Sequence, residues 1–108
     1  MRIDRIFWSY TWSIDLYKHN PKFLMGDNTY NVNRFNMPLF QVEGVTGLHT
    51  NFPIAFALVS GEKEESFRWV LGALQNLGQR YGIPPPKVFI TDYDQAFKNA
   101  LKAVFPRI

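Results

Sequence analysis

The chain has 108 residues, 46% of them hydrophobic, 17% aromatic and 19% charged, a balance that excludes a disordered tail and leaves room for one core. Twelve lysines and arginines against nine acids give a formal charge of +3, compatible with nucleic acid but too mild to argue for it. The absence of cysteine excludes a disulfide framework, a thiol nucleophile and a thiolate metal site, and two histidines are too few for a His-rich zinc site.

Any metal is therefore expected on carboxylates. No run approaches the roughly 20 apolar residues of a membrane helix, and the start, Met1-Arg2-Ile3-Asp4-Arg5-Ile6, lacks the apolar stretch of a secretory leader, so a soluble, unsecreted chain is expected. There is no internal repeat or linker-like tract, and residues 1–108 are expected to form a single unit.

In chain order, residues 2–18 mix aromatics (Phe7, Trp8, Tyr10, Trp12, Tyr17) with polar residues. Tyr10, Ile14 and Tyr17, at i, i+4 and i+7, predict a short helical stretch that Pro21 stops. The segment Phe23 to Tyr30 is rich in strand formers and carries one acid, Asp27, in its middle. Leu39 to Val45 alternates, with Phe40, Val42 and Gly44 on one side and Gln41 and Glu43 on the other, as in a strand wet on one face. Phe52 to Val59 is almost continuously apolar, a strand covered on both faces. Gly44 to Gly47 is expected to supply the turn between the last two.

Beyond Ser60-Gly61 the period becomes helical. Phe67, Val70, Leu71, Leu74 and Leu77 form one stripe, with Glu64, Glu65, Arg68, Gln75 and Gln79 mostly opposite, an amphipathic helix of about five turns. Ser60 is a candidate N-cap, Glu62, Glu64 and Glu65 suit the positive end of the dipole, and Gly82 followed by Pro84-Pro85-Pro86 ends the helix. Lys87 to Thr91 reads as a short apolar strand ending on Asp92. Asp94 can cap a second helix whose stripe is Ala96, Phe97, Ala100, Leu101 and Val104, with Pro106 closing the pattern. The predicted class is α/β: a three-stranded antiparallel meander plus a fourth strand, parallel to the first or third, with two main helices.

Two acids stand out. Strands disfavour Asp, and a carboxylate near a core is costly unless it is paired, hydrogen-bonded or bound to a cation. If the strand ending at Asp92 lies parallel beside the strand holding Asp27, the two carboxylates approach one another and can bind a divalent cation, the hard oxygen-ligand chemistry that Mg²⁺ prefers. Two such ions about 4 Å apart stabilise the attacking and leaving oxygens of an in-line phosphoryl displacement. A second reading stays open for both. Asp92 suits a helix cap or an Asx turn, with Asp94 competing for that role, and Asp27 in Gly26-Asp27-Asn28 suits a bulge or turn.

The remaining candidates read as solvated or structural. His49 falls in a hairpin loop, and His19 before Asn20-Pro21 reads as a turn residue. Glu62 to Glu65 reads as a solvated first turn, and Lys98 and Lys102 form a small basic ridge within reach of phosphate. Phe7, Trp8, Tyr10 and Trp12 could stack on bases, with a core or lid role as the alternative. There is no Gly-rich phosphate loop.

The run Gly26-Asp27-Asn28-Thr29-Tyr30-Asn31-Val32-Asn33-Arg34-Phe35-Asn36-Met37-Pro38-Leu39, preceded by Ser13-Ile14-Asp15-Leu16-Tyr17, resembles the transposase domain of Mutator-like elements. In that family the first catalytic strand runs roughly Asp-x-Thr-Tyr-x-x-Asn before a Pro-Leu strand. Phe56-Ala57-Leu58-Val59 with Glu62, Ser66-Phe67-x-Trp69, Ile90-Thr91-Asp92-x-Asp94-x-Ala96 and Val104-Phe105-Pro106 resemble the same family in the same order. The resemblance covers roughly residues 7–106.

It implies a ribonuclease H-like fold and an Asp, Asp, Glu set binding two Mg²⁺ or Mn²⁺ ions, with Asp27 matching the first acid and Asp92 the second. It also implies a first strand that is central with the fourth parallel beside it, and a reaction of nicking at a transposon end followed by attack of a 3′ hydroxyl on target DNA. DNA is then the partner and the nucleus the place of action. The third acid is expected well downstream, after a Cys-x-x-His segment, and Asn28 and Asn31 stand where many members have other residues. The resemblance thus implies a partial catalytic domain, incomplete at its C-terminus and inactive alone, with a hydrophobic sheet edge open to association of copies. The same family also resembles far-red-response transcription factors, which implies a DNA-associated regulatory module without catalysis as the alternative. A structural α/β domain whose acids are caps is the third possibility.

Overall fold

The computed structural model describes residues 5–29, 39–59, 64–91 and 95–106, with 27–29 described by their main chain. The elements are β1 (Arg5–Trp8), α1 (Thr11–His19), β2 (Phe23–Thr29), β3 (Leu39–Val45), β4 (Asn51–Val59), α2 (Glu64–Arg80), β5 (Val88–Ile90) and α3 (Gln95–Val104). The strands form one mixed sheet in the order β1-β4-β3-β2-β5. All neighbours are antiparallel except β2 and β5, which run parallel.

The predicted meander is β2, β3 and β4, and the returning strand lies beside the first of them, β2, at a sheet edge. The sheet has one strand more than the sequence pattern indicates, while α1 is the short helical stretch predicted ahead of Pro21. β1 occupies the start of the segment read as aromatic and partly helical. All four of its residues are half-buried, so it shows neither alternation nor a clean apolar run, and pairing with β4 across about 50 residues of chain defines it.

β3 alternates as its sequence does, with Phe40, Val42 and Gly44 buried. Gly44 is required there, because a Cβ would overlap the tip of the Phe52 ring. It therefore lies within the strand, and the turn falls later, where the Thr46 main-chain N–H donates to the Thr50 carbonyl at 2.9 Å. The Thr46 hydroxyl accepts the Leu48 and Thr50 N–H groups, each at 3.2 Å. His49 takes the left-handed conformation there, at φ 63°. In β4 the register shifts opposite Val42 and Glu43, leaving Ile54 as an extra residue beside Pro53, which has no N–H to pair. The Ser9 hydroxyl donates to the Ile54 carbonyl that this bulge frees.

One sheet face is covered by α2 and α3. Phe67, Val70, Leu71 and Leu74 of α2 are buried as its stripe predicts, while Leu77 is only half-buried and Gly78 takes the inner position. The helix ends as expected on Gly82, at φ 68°. Its N–H bonds the Gln79 carbonyl at 3.3 Å and the Ile83 N–H bonds the Gly78 carbonyl at 2.8 Å, the paired closure of a Schellman motif. From α3, Phe97 and Ala100 are buried, with Ala96, Leu101 and Val104 packed partly against the core.

Phe97 is the hub of an aromatic cluster. Its ring centroid lies 5.3 Å from Phe67, 5.6 Å from Phe40 and 5.7 Å from Phe89. Each such pair adds about 0.5–1.5 kcal/mol beyond simple burial, and together they bind α3, α2, β3 and β5 into one core.

Candidate functional site

Of the two acids singled out in the sequence, Asp27 falls in β2, beyond the last rung of the β2–β5 ladder. Asp27 is the fifth residue of β2, and its main chain is in register with Gln41 of β3. Asp92 lies outside the described residues, two positions beyond the last residue of β5. Asp94, Ser60, Glu62 and Asn31 also lie outside them, and Asn28 is described only by its main chain.

The ladder itself is well defined. Phe23 pairs with Val88, Leu24 with Phe89 and Met25 with Ile90, and the Lys87 and Val88 N–H groups both reach the Lys22 carbonyl, at 2.9 and 3.0 Å. Each pair is 65 residues apart in sequence, which is also the separation of Asp27 and Asp92. Gly26 makes the fit of β5 possible, since a Cβ there would come within 2.9 Å of Phe89 Cε1 and 3.4 Å of Phe40 Cζ.

On the other side of β2 the rows continue. Asp27 is in register with Gln41, Gln41 with Phe56, and Phe56 with Trp8. One transverse row thus crosses four strands, and pleating puts its positions on a single face, the one opposite buried Phe40 and Val42. Sequence reading recognised Gln41 and Glu43 as a wet face without connecting them to Asp27. Their side chains are half-buried, and Gln41 Nε2 donates to Glu43 Oε1 at 3.1 Å. Gln41 is the nearest polar neighbour that the register gives to Asp27; the only signal for it in the sequence was the polar alternation along β3.

The other candidates do not converge on this end. His49 is exposed in its loop, as read. His19 is not a turn residue but the last residue of α1, and its Nδ1–H donates to the Asp15 carbonyl at 2.8 Å, a favourable place for an imidazole at a helix C-terminus. Both histidines line an apolar cavity of about 460 Å³ with Phe23, Val45 and Ile90 at the opposite end of β2. Glu64 pairs with Arg68 at 2.8 Å and Glu65 with Arg5 at 3.0 Å, while Lys98 and Lys102 are exposed on α3. No group of three or more metal-ligating side chains occurs among the described residues, and no helix among them is long and apolar enough to cross a membrane.

Comparison with known proteins adds two findings. An 80-residue stretch, 74% of this chain, is 40% identical to part of the PKS-NRPS hybrid synthetase cheA of Chaetomium globosum, of which it spans 2%. The model of the MULE transposase domain matches residues 23–108, from the first residue of β2 through α3 and beyond, and leaves β1 and α1 outside the match. With well over half of its length under that model, the chain belongs to the MULE transposase domain family.

Proposed function

We propose that the chain carries the first two acids of a DDE-type transposase core of ribonuclease H-like architecture, with Asp27 and Asp92 holding divalent Mg²⁺ or Mn²⁺ for phosphoryl transfer on DNA. A transposase domain has DNA as its partner in general. The carrying observation is the constant 65-residue offset of the parallel β2–β5 ladder; extended by two residues, the same offset relates Asp27 to Asp92. The ribonuclease H-like reading is supported by the run β4-β3-β2-β5, a meander whose first strand is flanked in parallel by the returning one. The synthetase relative contributes nothing to this reading, because the shared stretch is 2% of its length.

Two carboxylates brought together by this ladder would fit a hard divalent cation, since each supplies oxygen donors and the charge of one makes the other costly without a cation between them. When bound, such ions stabilise the attacking and leaving oxygens of an in-line displacement at phosphorus. The role of this chain would be to hold two carboxylates at one end of the sheet, with Gln41 in register with Asp27 on the neighbouring strand. In the reaction proposed, a water oxygen attacks phosphorus and the 3′ oxygen leaves as a hydroxyl. That hydroxyl then attacks a target-strand phosphorus and displaces its 3′ oxygen.

The test is Mn²⁺ binding followed by electron paramagnetic resonance on the wild-type chain, Asp27→Asn and Asp92→Asn. Binding in the wild type that drops at least tenfold in each variant is expected. Equal Mn²⁺ binding by all three chains, or none by the wild type, overturns the assignment and leaves the acids as caps or turn formers.

A further inference from the structure

The row that starts at Asp27 ends, three strands away, on aromatic rings. Trp8 of β1 stacks on Phe56 of β4 with centroids 5.6 Å apart and planes 20° apart. Tyr10 meets Phe56 edge-on at 5.9 Å, and Trp12 lies parallel to Tyr10, at 5.9 Å and 6°. At that separation two parallel rings are offset, which leaves part of each face uncovered. Tyr10 and Trp12 are 46% and 53% exposed, an unusual outlay of large aromatic surface for a core-building role.

The platform is held from beneath. The Ser9 hydroxyl ties the β1–α1 connection to the carbonyl of the β4 bulge, and the Tyr10 carbonyl accepts the first helical bond of α1, from Ile14 N–H at 3.0 Å. α1 begins with no capping side chain and no acid in its first turn, so the surface beside Tyr10 and Trp12 carries the partial positive charge of a helix N-terminus. Rigid, exposed π-faces beside positive potential match a stacked base attached to phosphate better than they match a further apolar protein segment. Three strand spacings separate Trp8 from Asp27 along the row, or about 14 Å, which a few nucleotides can span.

We propose that Trp8, Tyr10, Trp12 and Phe56 form a stacking platform for unpaired DNA bases a few nucleotides away from the phosphate that the acid end of the row would hold. The proposal rests on the reading of Asp27 as a site residue for its biological meaning, but not for its test. The platform residues Trp8, Tyr10 and Trp12 lie before residue 23, outside the stretch that matches the family model.

The test measures binding of a fluorescently labelled single-stranded oligonucleotide to the purified chain by anisotropy, in EDTA so that no metal contributes. The same oligonucleotide with abasic positions and its duplex form serve as comparators. Trp12→Ala and the double variant Tyr10→Ala with Trp12→Ala are expected to weaken single-strand binding by roughly tenfold or more, with duplex and abasic binding unaffected. Trp12→Phe should restore most of the affinity, which separates stacking from loss of fold; circular dichroism checks the helix in each variant. Equal affinity of wild type and Trp12→Ala for the single strand overturns the proposal, as does wild-type binding that ignores abasic substitution. A Trp12→Ala effect on sedimentation alone assigns the platform to contact between copies and overturns it too. Failure here with Mn²⁺ binding retained at Asp27 and Asp92 would leave the metal reading standing, and the converse result would leave the platform standing.

Discussion

Met25 and Ile90 face one another at the last described rung of the parallel β2–β5 ladder, two residues short of Asp27 on one strand and of Asp92 on the other. The proposed acid pair would therefore depend on how closely β5 can approach β2. Gly26, next to Met25, has the Phe89 and Phe40 rings where a side chain would be. Gly26→Val is expected to push Phe89 outward and to cost about 1–3 kcal/mol, the usual range for overpacking. Thermal unfolding should show a melting temperature lower by several degrees, and Mn²⁺ affinity should fall with it. An unchanged melting temperature would show that β5 has slack that the ring contacts do not reveal.

Ser13 is fully buried in the first turn of α1, and its hydroxyl has no hydrogen-bond partner among the described residues. A buried, unsatisfied hydroxyl costs about 1–3 kcal/mol, and alanine is the better helix former. Ser13→Ala should raise stability to chemical denaturation by about 1 kcal/mol. A loss of that size in the urea midpoint would point to a bound water bridging the hydroxyl.

Tyr17, buried between α1 and the core, has its phenol pushed up from 10.0 to about 12 by desolvation. Because the folded value lies above the unfolded one, the neutral form is favoured in the fold. The associated stability is complete below pH 10 and is lost as pH climbs toward 12. The full loss is roughly 3 kcal/mol. Urea midpoints at pH 9 and 11.5 should fall less in Tyr17→Phe than in the wild type, and parallel losses would mean that Tyr17 ionises without unfolding the helix.

How much of this was legible in sequence depends on the reach of each interaction. α2 was clear because its stripe, its terminal glycine and the three prolines are all local. β3 was clear because one face is wet. β1 was not, because its half-buried residues acquire meaning only against β4. Asp27 and Asp92 stood out as acids in apolar strands, yet sequence left the return strand free to pair with the first or the third of the meander. Phe89 packed against Phe97 beside Gly26 decides that choice, and only the fold shows it. The row through Gln41 and Phe56 to Trp8 was invisible for the same reason, since it is made of register rather than of motif.

His49 carries the one left-handed conformation of a non-glycine residue among the described residues, at φ 63°, held by the hydrogen bonds that Thr46 accepts and donates across the turn. A Cβ in that conformation costs about 1–2 kcal/mol, partly offset in glycine by its larger unfolded-state entropy. His49→Gly should therefore stabilise the chain by about 0.5–1 kcal/mol, measured as an upward shift of the unfolding midpoint. A downward shift would mean that the imidazole makes a compensating contact.

β5 is three residues long and joins the sheet only after a closure of 65 residues, whereas β2, β3 and β4 are joined by near neighbours in sequence. Closing a long loop for so short a ladder makes this the last docking step of folding and the first seam to open. Amide exchange should accordingly be fastest along Val88 to Ile90 and slowest in β3 and β4. Of the two proposed metal ligands, Asp27 belongs to the frame and Asp92 follows the clasp in sequence, so a cation bridging them would be registered first as slowed exchange in the clasp.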